Sequence, residues 1–315
     1  MISLLNFIFK KLFNFLISFF NYNKIINFIT KLIELDKYFI QYKFYQKRFN
    51  DNGDTIKYLE ADTAIIIQGP IIYKDNFTLE TIKLYKSNFK NTTIILSTWD
   101  DVTFKFLNNK VLNNVKVLLN TKPLYSGISN INLQILTTQS AINSIINTNI
   151  KYLVKTRTDQ RIYNNKFIDI CKLILNSNKN KIIVSSSNSY KNRLYSISDM
   201  FQFSTIEILR KFWNVSLQNT DNVEELKKSN ELLLIPEIYL LYCYLNSQKV
   251  KIFWTDNDYY NILKNYIYII DKINLDIFWN KYSNIINKEI FTKSYLEEFD
   301  MLDLLIINQK INENN

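Results

Sequence analysis

Residues 152–163 read YLVKTRTDQRIY. The first five are rich in aromatic and β-branched side chains. The rest form a dense group of arginine, threonine, aspartate and glutamine. The simplest local structure is a buried strand over 152–156 that opens into a polar loop at 157–161.

Working outward, the same grammar recurs. Residues 64–67 (AIII) run into Gln68-Gly69-Pro70. Residues 93–97 (TIILS) close on Thr98-Trp99-Asp100-Asp101, and 115–119 (VKVLL) form a third strand. Helical spacing falls between these runs: 78–89 with Leu79, Ile82, Leu84, Tyr85 and Phe89, a short stretch at 102–107, and a longer one at 129–146. Strand–helix units in series predict an α/β fold: a parallel sheet with helices on both faces. Ligands of such sheets bind beyond the carboxyl ends of the strands, where the polar residues of this chain cluster.

Towards the C-terminus the order loosens. Helices are expected at 167–175, 206–213, 223–228 and 236–245, the last with Pro236 in its first turn. Strands are expected at 181–185 and 199–203. Residues 261 onward read as aromatic and mostly helical. The expected organisation is a helical extension over 1–50, a turn-forming linker at 50–54, an α/β domain over 60–250, and a mostly helical extension over 251–315.

Composition narrows the chemistry. At 47% hydrophobic and 22% charged residues, the chain can bury a substantial core and is not disordered. Histidine is absent, which removes Ser-His-Asp and Cys-His mechanisms and histidine metal sites. A general base must be Asp, Glu, Lys, Tyr or water. Cys171 and Cys243 form neither a CxxC site nor a disulfide framework. They are expected as buried apolar groups in a reducing compartment. Neither GxGxxG nor GxxxxGK[ST] occurs, which speaks against a conventional dinucleotide site and a P-loop.

Charge is unevenly placed. Residues 1–50 carry +6 of the total +10. With Leu5, Ile8, Phe9, Leu12, Phe15, Leu16 and Phe19 on one broad face, this segment suits peripheral contact with an anionic membrane. The alternative is an ordinary helix docked on the body. The apolar run at 12–20 is shorter than the ~20 residues a spanning helix needs. No small-residue cleavage site follows, so a secretory signal is not expected. No nucleic-acid motif accompanies the positive charge, and no nucleic-acid partner is expected.

The strand-end loops hold the candidate site residues. Asp159, just beyond a central strand, is placed to hold a divalent cation, Mg²⁺ or Mn²⁺, that neutralises a diphosphate. Arg157 and Arg161 flank it and offer forked hydrogen bonds to phosphate. The competing reading is a salt bridge at a strand end. Trp99 suits stacking on a nucleobase, and Asp100 suits hydrogen bonding to base or ribose. A helix cap at Asp100 or Asp101 is the alternative. Gly69 allows close approach of backbone to a ligand. Asp199 and Glu237 are candidates to activate an acceptor hydroxyl; helix-terminal and loop-capping roles compete.

In order along the chain, AIIIQGPI (64–71), NFTLETIKLY (76–85), TIILSTWD (93–100), NINLQILTT (130–138), YLVKTRTDQRIY (152–163), SDMFQF (198–203) and PEIYL (236–240) resemble the WavE lipopolysaccharide synthesis family. The resemblance covers about residues 62–245. It implies a GT-A-like fold, a single Rossmann-type, mostly parallel sheet, and a nucleotide-sugar-dependent glycosyltransferase acting on a glycan or glycolipid acceptor of the cell envelope. The cysteines and the basic N-terminal segment set the expected location, in the cytoplasm or peripheral on the cytoplasmic face of the inner membrane. On that reading residues 60–160 form the donor half and 161–250 the acceptor half. Gln68, Gly69, Pro70 and Gln134 become donor-side residues, with Trp99 and Asp100 at the nucleoside. Arg157, Asp159 and Arg161 become the diphosphate and metal site, and Asp199 and Glu237 the acceptor-side acid/base candidates, either of which would deprotonate the acceptor hydroxyl. The sequence departs from the DxD metal motif of such folds, because Arg157 stands at its first position. Two other functions remain open: a non-catalytic membrane-surface protein on a degenerate nucleotide-binding scaffold, and another nucleotide-dependent transferase.

Overall fold

A computed structural model describes residues 61–220, 224, 231–280, 297–299 and 303. The helical extension at 1–50, the linker at 50–54 and the helix at 223–228 lie outside the described residues, apart from residue 224.

Seven strands form one sheet in the order β3-β2-β1-β4-β7-β6-β8. These are β1 (Thr63–Gln68), β2 (Thr93–Trp99), β3 (Lys116–Asn120), β4 (Tyr152–Arg157), β6 (Ile182–Ser185), β7 (Gln202–Thr205) and β8 (Ile267–Ile270). β1, β2, β3 and β4 run parallel. β7 is antiparallel to both β4 and β6, and β8 is parallel to β6. β1 is buried along its whole length, as expected of a parallel strand covered on both faces.

The covering helices are α1 (Phe77–Asn88), α2 (Phe104–Leu107), α3 (Ile131–Asn143), α4 (Phe167–Ser177), α5 (Ile206–Trp213), α6 (Pro236–Ser247), α7 (Asp256–Tyr266) and α8 (Lys272–Leu275). Side chains alternate across each strand, which gives two cores. Ile65, Ile67, Val154 and Phe203 pack with α1 and α4. Ala64, Ile66, Ile95 and Leu153 pack with α3, α5 and α6. On the second face the alternation continues as Ile66 then Gln68, Ile95 then Ser97, and Leu153 then Lys155 then Arg157. Apolar side chains thus give way to polar ones towards the carboxyl ends.

Three local expectations shift. α3 begins at Ile131 because Ser129 and Asn130 take left-handed backbone angles (φ 52° and 65°). β7 begins at Gln202 rather than 199. The preceding backbone is already engaged, with Tyr190 N–H donating to the Ser196 carbonyl and Ser198 N–H to the Ser189 hydroxyl. Residues 261 onward, expected as mostly helical, supply β8 to the main sheet, and β9 (Ile277–Trp279) pairs antiparallel with β5 (Gln160–Ile162). The Ile-Tyr-rich run at 267–270 suits a pleated, half-buried surface, and the helical reading missed this. Cys171 is buried, with its thiol pKa pushed up by burial; Cys243 is only partly buried. Among the described residues no helix is long and apolar enough to cross a membrane.

Candidate active site

The strand order reverses at β1 and β4: the chain adds β2 and β3 on one side of β1, then returns to place β4 on the other. Such a reversal leaves a crevice at the carboxyl ends of the two strands. A cleft of about 440 Å³ occupies it. It is lined by Gln68, Gly69, Pro70, Trp99, Gln134, Arg157 and Asp159 of the expected residues, and by Asp101, Lys122 and Thr158 among others.

The floor is built by close backbone packing. Thr158 N–H donates to the Gln68 carbonyl at 3.0 Å, and Gly69 N–H to the Ser97 carbonyl at 3.1 Å. Gly69 has φ +122°, and a Cβ there would lie 2.9 Å from the Thr158 hydroxyl oxygen. Only glycine meets both conditions without strain. Gln68 is held from the helical side by the Thr137 hydroxyl at 3.0 Å. Ser129, Asn130, Leu133 and Gln134, at the start of α3, form one wall. The positive end of that helix dipole favours an anion there.

Arg157 and Asp159 form a forked pair. Arg157 Nε–H and Nη2–H donate to the two carboxylate oxygens at 2.9 and 3.1 Å. Trp279 Nε1–H, from β9, donates to the same carboxylate at 3.0 Å. Burial alone would raise the Asp159 pKa. The charge and hydrogen bonds of Arg157, with that of Trp279, outweigh it and hold the carboxyl below its ordinary value. The side chains are only 23% and 15% exposed, so this is no ordinary surface bridge.

The residues around Asp159 do not fit a divalent cation. Mg²⁺ and Ca²⁺ want several oxygen ligands, whereas both Asp159 oxygens already accept hydrogen bonds and a guanidinium sits against them. Among the described residues no three Asp, Glu or Cys side chains gather to hold a metal ion.

Asp100 and Arg161 take other places. Asp100 is exposed outside the cleft lining, with its carboxylate accepting from the Thr121 hydroxyl at 2.8 Å. Asp101 lines the cleft instead, bridged to Lys122 at 2.6 Å. Neither aspartate caps α2; the Thr103 hydroxyl does. Arg161 is 1% exposed and points at α1. It donates to the Thr81 hydroxyl and the Phe77 carbonyl, both at 3.0 Å, and its guanidinium lies 4.3 Å from the centre of the Phe77 ring. The turn at Thr158-Asp159 and the pairing of β5 with β9 send it there, so the phosphate-binding expectation for Arg161 gives way to a structural one.

Beside the cleft, though not in its lining, stands a charged group that sequence reasoning only half found. Asp199 and Glu237 were expected; Lys155 was not. Lys155 is fully buried on β4. Its ammonium donates to the Asp199 carbonyl, makes a long 3.5 Å contact with the Gln134 side-chain oxygen, and lies 4.9 Å from the centre of the Trp213 ring. Burial lowers its pKa to about 8, against the raising influence of Asp199. Glu237, in the first turn of α6, has its pKa raised to about 7, first by burial and then by the charge of Asp199. A lysine in the middle of a strand expected to be buried was the available signal. Buried lysines are rare unless paired.

Fold and cleft define an α/β protein: a single, mostly parallel sheet with its crevice at the switch point. The sequence model of the WavE lipopolysaccharide synthesis family matches residues 63–237, more than half of the chain. The chain belongs to that family. It is similar in structure to a cytidylyltransferase from Leptospira borgpetersenii serovar Hardjo-bovis (14% identity, TM-score 0.39, covering 80% of this chain and 95% of that one). It is also similar to 4-diphosphocytidyl-2C-methyl-D-erythritol synthase from Anaerococcus prevotii (10%, 0.37, 79% and 97%). A third similarity is to mouse xyloside xylosyltransferase 1 (8%, 0.35, 67% and 86%). No curated protein matches the chain.

Proposed function

We propose that this chain is a glycosyltransferase that moves a sugar from a nucleotide-sugar donor to a cell-envelope glycan or glycolipid acceptor. Membership of a lipopolysaccharide synthesis family supports the pathway class. The α/β architecture supports the coarser class, a transferase of glycosyl or nucleotidyl groups.

One observation carries the reading: the Gly69 turn, Trp99, Gln134 and the Arg157–Asp159 pair converge on one cleft at the switch point. Its volume of about 440 Å³ lies in the range of small-molecule sites. Trp99 and Asp101 form the nucleoside end. Arg157 and the start of α3 meet the phosphates. Glu237 takes the proton of the acceptor hydroxyl as its oxygen bonds to the anomeric carbon, the bond from that carbon to the phosphate oxygen breaks, and the nucleoside phosphate leaves. A carboxyl raised to about 7 is matched to accept a proton near neutral pH. Burial and, after it, the Asp199 charge keep it so. Work in the cytoplasm, peripheral on the inner membrane through the basic segment 1–50, completes the proposal.

The test is a thermal-shift panel of UDP-, GDP- and CMP-sugars, followed by product analysis with a labelled donor. A true donor at 100 times its Kd adds about 2.7 kcal/mol of stability. Labelled sugar in a glycan, with nucleoside phosphate released, is the expected product. Release of pyrophosphate with transfer of the nucleotide would instead make the chain a nucleotidyltransferase. Failure of every nucleotide to bind, with retained liposome binding, would leave the non-catalytic surface protein.

A further inference from the structure

The geometry points to Arg157, without a divalent cation, as the group that takes the donor's diphosphate, and to Asp159 as the positioning residue that aims it. This rests on the nucleotide-sugar reading above and deepens it.

Three observations carry it. First, the carboxylate that would hold a cation is already engaged. Its two oxygens accept three hydrogen bonds, from Arg157 Nε at 2.9 Å, Arg157 Nη2 at 3.1 Å and Trp279 Nε1 at 3.0 Å. An arriving cation would have to displace a guanidinium of its own sign. Second, Trp279 comes from β9, whose register with β5 sets Trp279 opposite Gln160. The indole also lies 5.9 Å from the Arg157 guanidinium carbon, measured to the ring centre. The carboxylate and the indole therefore fix Arg157 from two sides. Third, Arg157 has five N–H donors, and the pair with Asp159 uses two. The remainder belong to Nη1 and Nη2 of a side chain that lines the cleft and is 23% exposed. Guanidinium forks match phosphate oxygens. Lys155 lies buried beside the cleft, and Lys122, paired with Asp101, lines it, so cationic side chains stand at the site without a metal.

This assigns Asp159 a role opposite to that of a metal ligand, and the two roles separate cleanly. A ligand's carboxylate is indispensable for anion binding. An aiming carboxylate competes with the anion for the same guanidinium. Replacing it by the isosteric amide keeps a hydrogen-bond acceptor and removes the competing charge.

The experiment measures binding of inorganic pyrophosphate to the full chain by calorimetry, in EDTA and in Mn²⁺, for wild type, Asp159→Asn, Arg157→Gln and Arg157→Lys, with the fold of each checked by circular dichroism. The expected result is binding in EDTA that Mn²⁺ does not strengthen beyond twofold, retained or tightened in Asp159→Asn, and weakened at least tenfold in Arg157→Gln. Arg157→Lys, which keeps the charge but not the fork, should fall between; it carries the test if the glutamine variant does not fold. Binding that requires Mn²⁺ and disappears in Asp159→Asn overturns the inference and leaves the transferase reading standing. Absence of binding by pyrophosphate and by every nucleotide sugar, in both conditions, removes the two together.

Discussion

Two charged groups flank the end of β4, and they meet the cost of burial in opposite ways. Arg157 and Asp159 neutralise each other through a fork, with an indole closing the remaining side. Lys155, Asp199 and Glu237 are brought close without such pairing, and burial shifts Lys155 and Glu237 far from their ordinary values. A forked, buried ion pair is a fixed electrostatic template, because releasing either partner would leave an uncompensated buried charge. An incompletely paired ion sits near the point of gaining or losing a proton, which suits acid–base work. On the proposed reading, the Arg157–Asp159 pair is the fixed part of the site, and the neighbouring group is the one suited to moving protons.

The sharpest way to break this division is Glu237→Gln. It should lower kcat by about 10²–10⁴-fold while leaving nucleotide affinity within about twofold. Wild-type activity should fall as pH drops through about 7, and that limb of the profile should vanish in the variant. The sign for stability runs the other way. A folded-state pKa above the ordinary 4.5 gives stabilisation that is complete below 4.5 and lost as pH rises through about 7. Full kcat in Glu237→Gln would move the base elsewhere.

A smaller effect is expected at the template. Gly69→Ala forces a side chain into φ +122° and against Thr158. Strain of about 1–3 kcal/mol should appear as a lowered Tm and as roughly 10- to 100-fold weaker nucleotide binding. Unchanged affinity would mean that the turn is not part of the donor site.

The last is a slope. The folded protein releases the Lys155 proton at about 8, whereas the ordinary value is 10.5. Across that window the unfolded chain binds more protons, so stability rises with pH, by at most about 1.4 kcal/mol per unit for one proton. Urea melts between pH 7.5 and 10 should show this rise in wild type relative to Lys155→Met. Parallel curves for the two proteins would mean that Lys155 is not perturbed.

Much of this was legible in the chain. The four parallel strands, their helices and the polar strand ends follow from hydrophobic runs a few residues long and the turns that end them. Such signals are local, so they survive without knowledge of the fold. The convergence of Gly69, Trp99 and the Thr158-Asp159 corner follows from the rule that parallel strands place their carboxyl ends on one edge.

What the chain alone did not determine was direction. Arg157 and Arg161 are the same residue type four positions apart, yet one lines the cleft and the other is sealed beneath α1. The turn between them and the pairing of β5 with β9 decide it, and β9 lies more than a hundred residues away. Trp279 reaches Asp159 over the same distance, and Lys155 is buried only because β7, α5 and the Asp199 loop close over it. The sequence determined where the sheet edge is and that it is polar; tertiary structure decided which charges face each other there. The reason is that strand periodicity is a short-range property, whereas the partner of a buried charge is fixed by whichever distant segment packs against it.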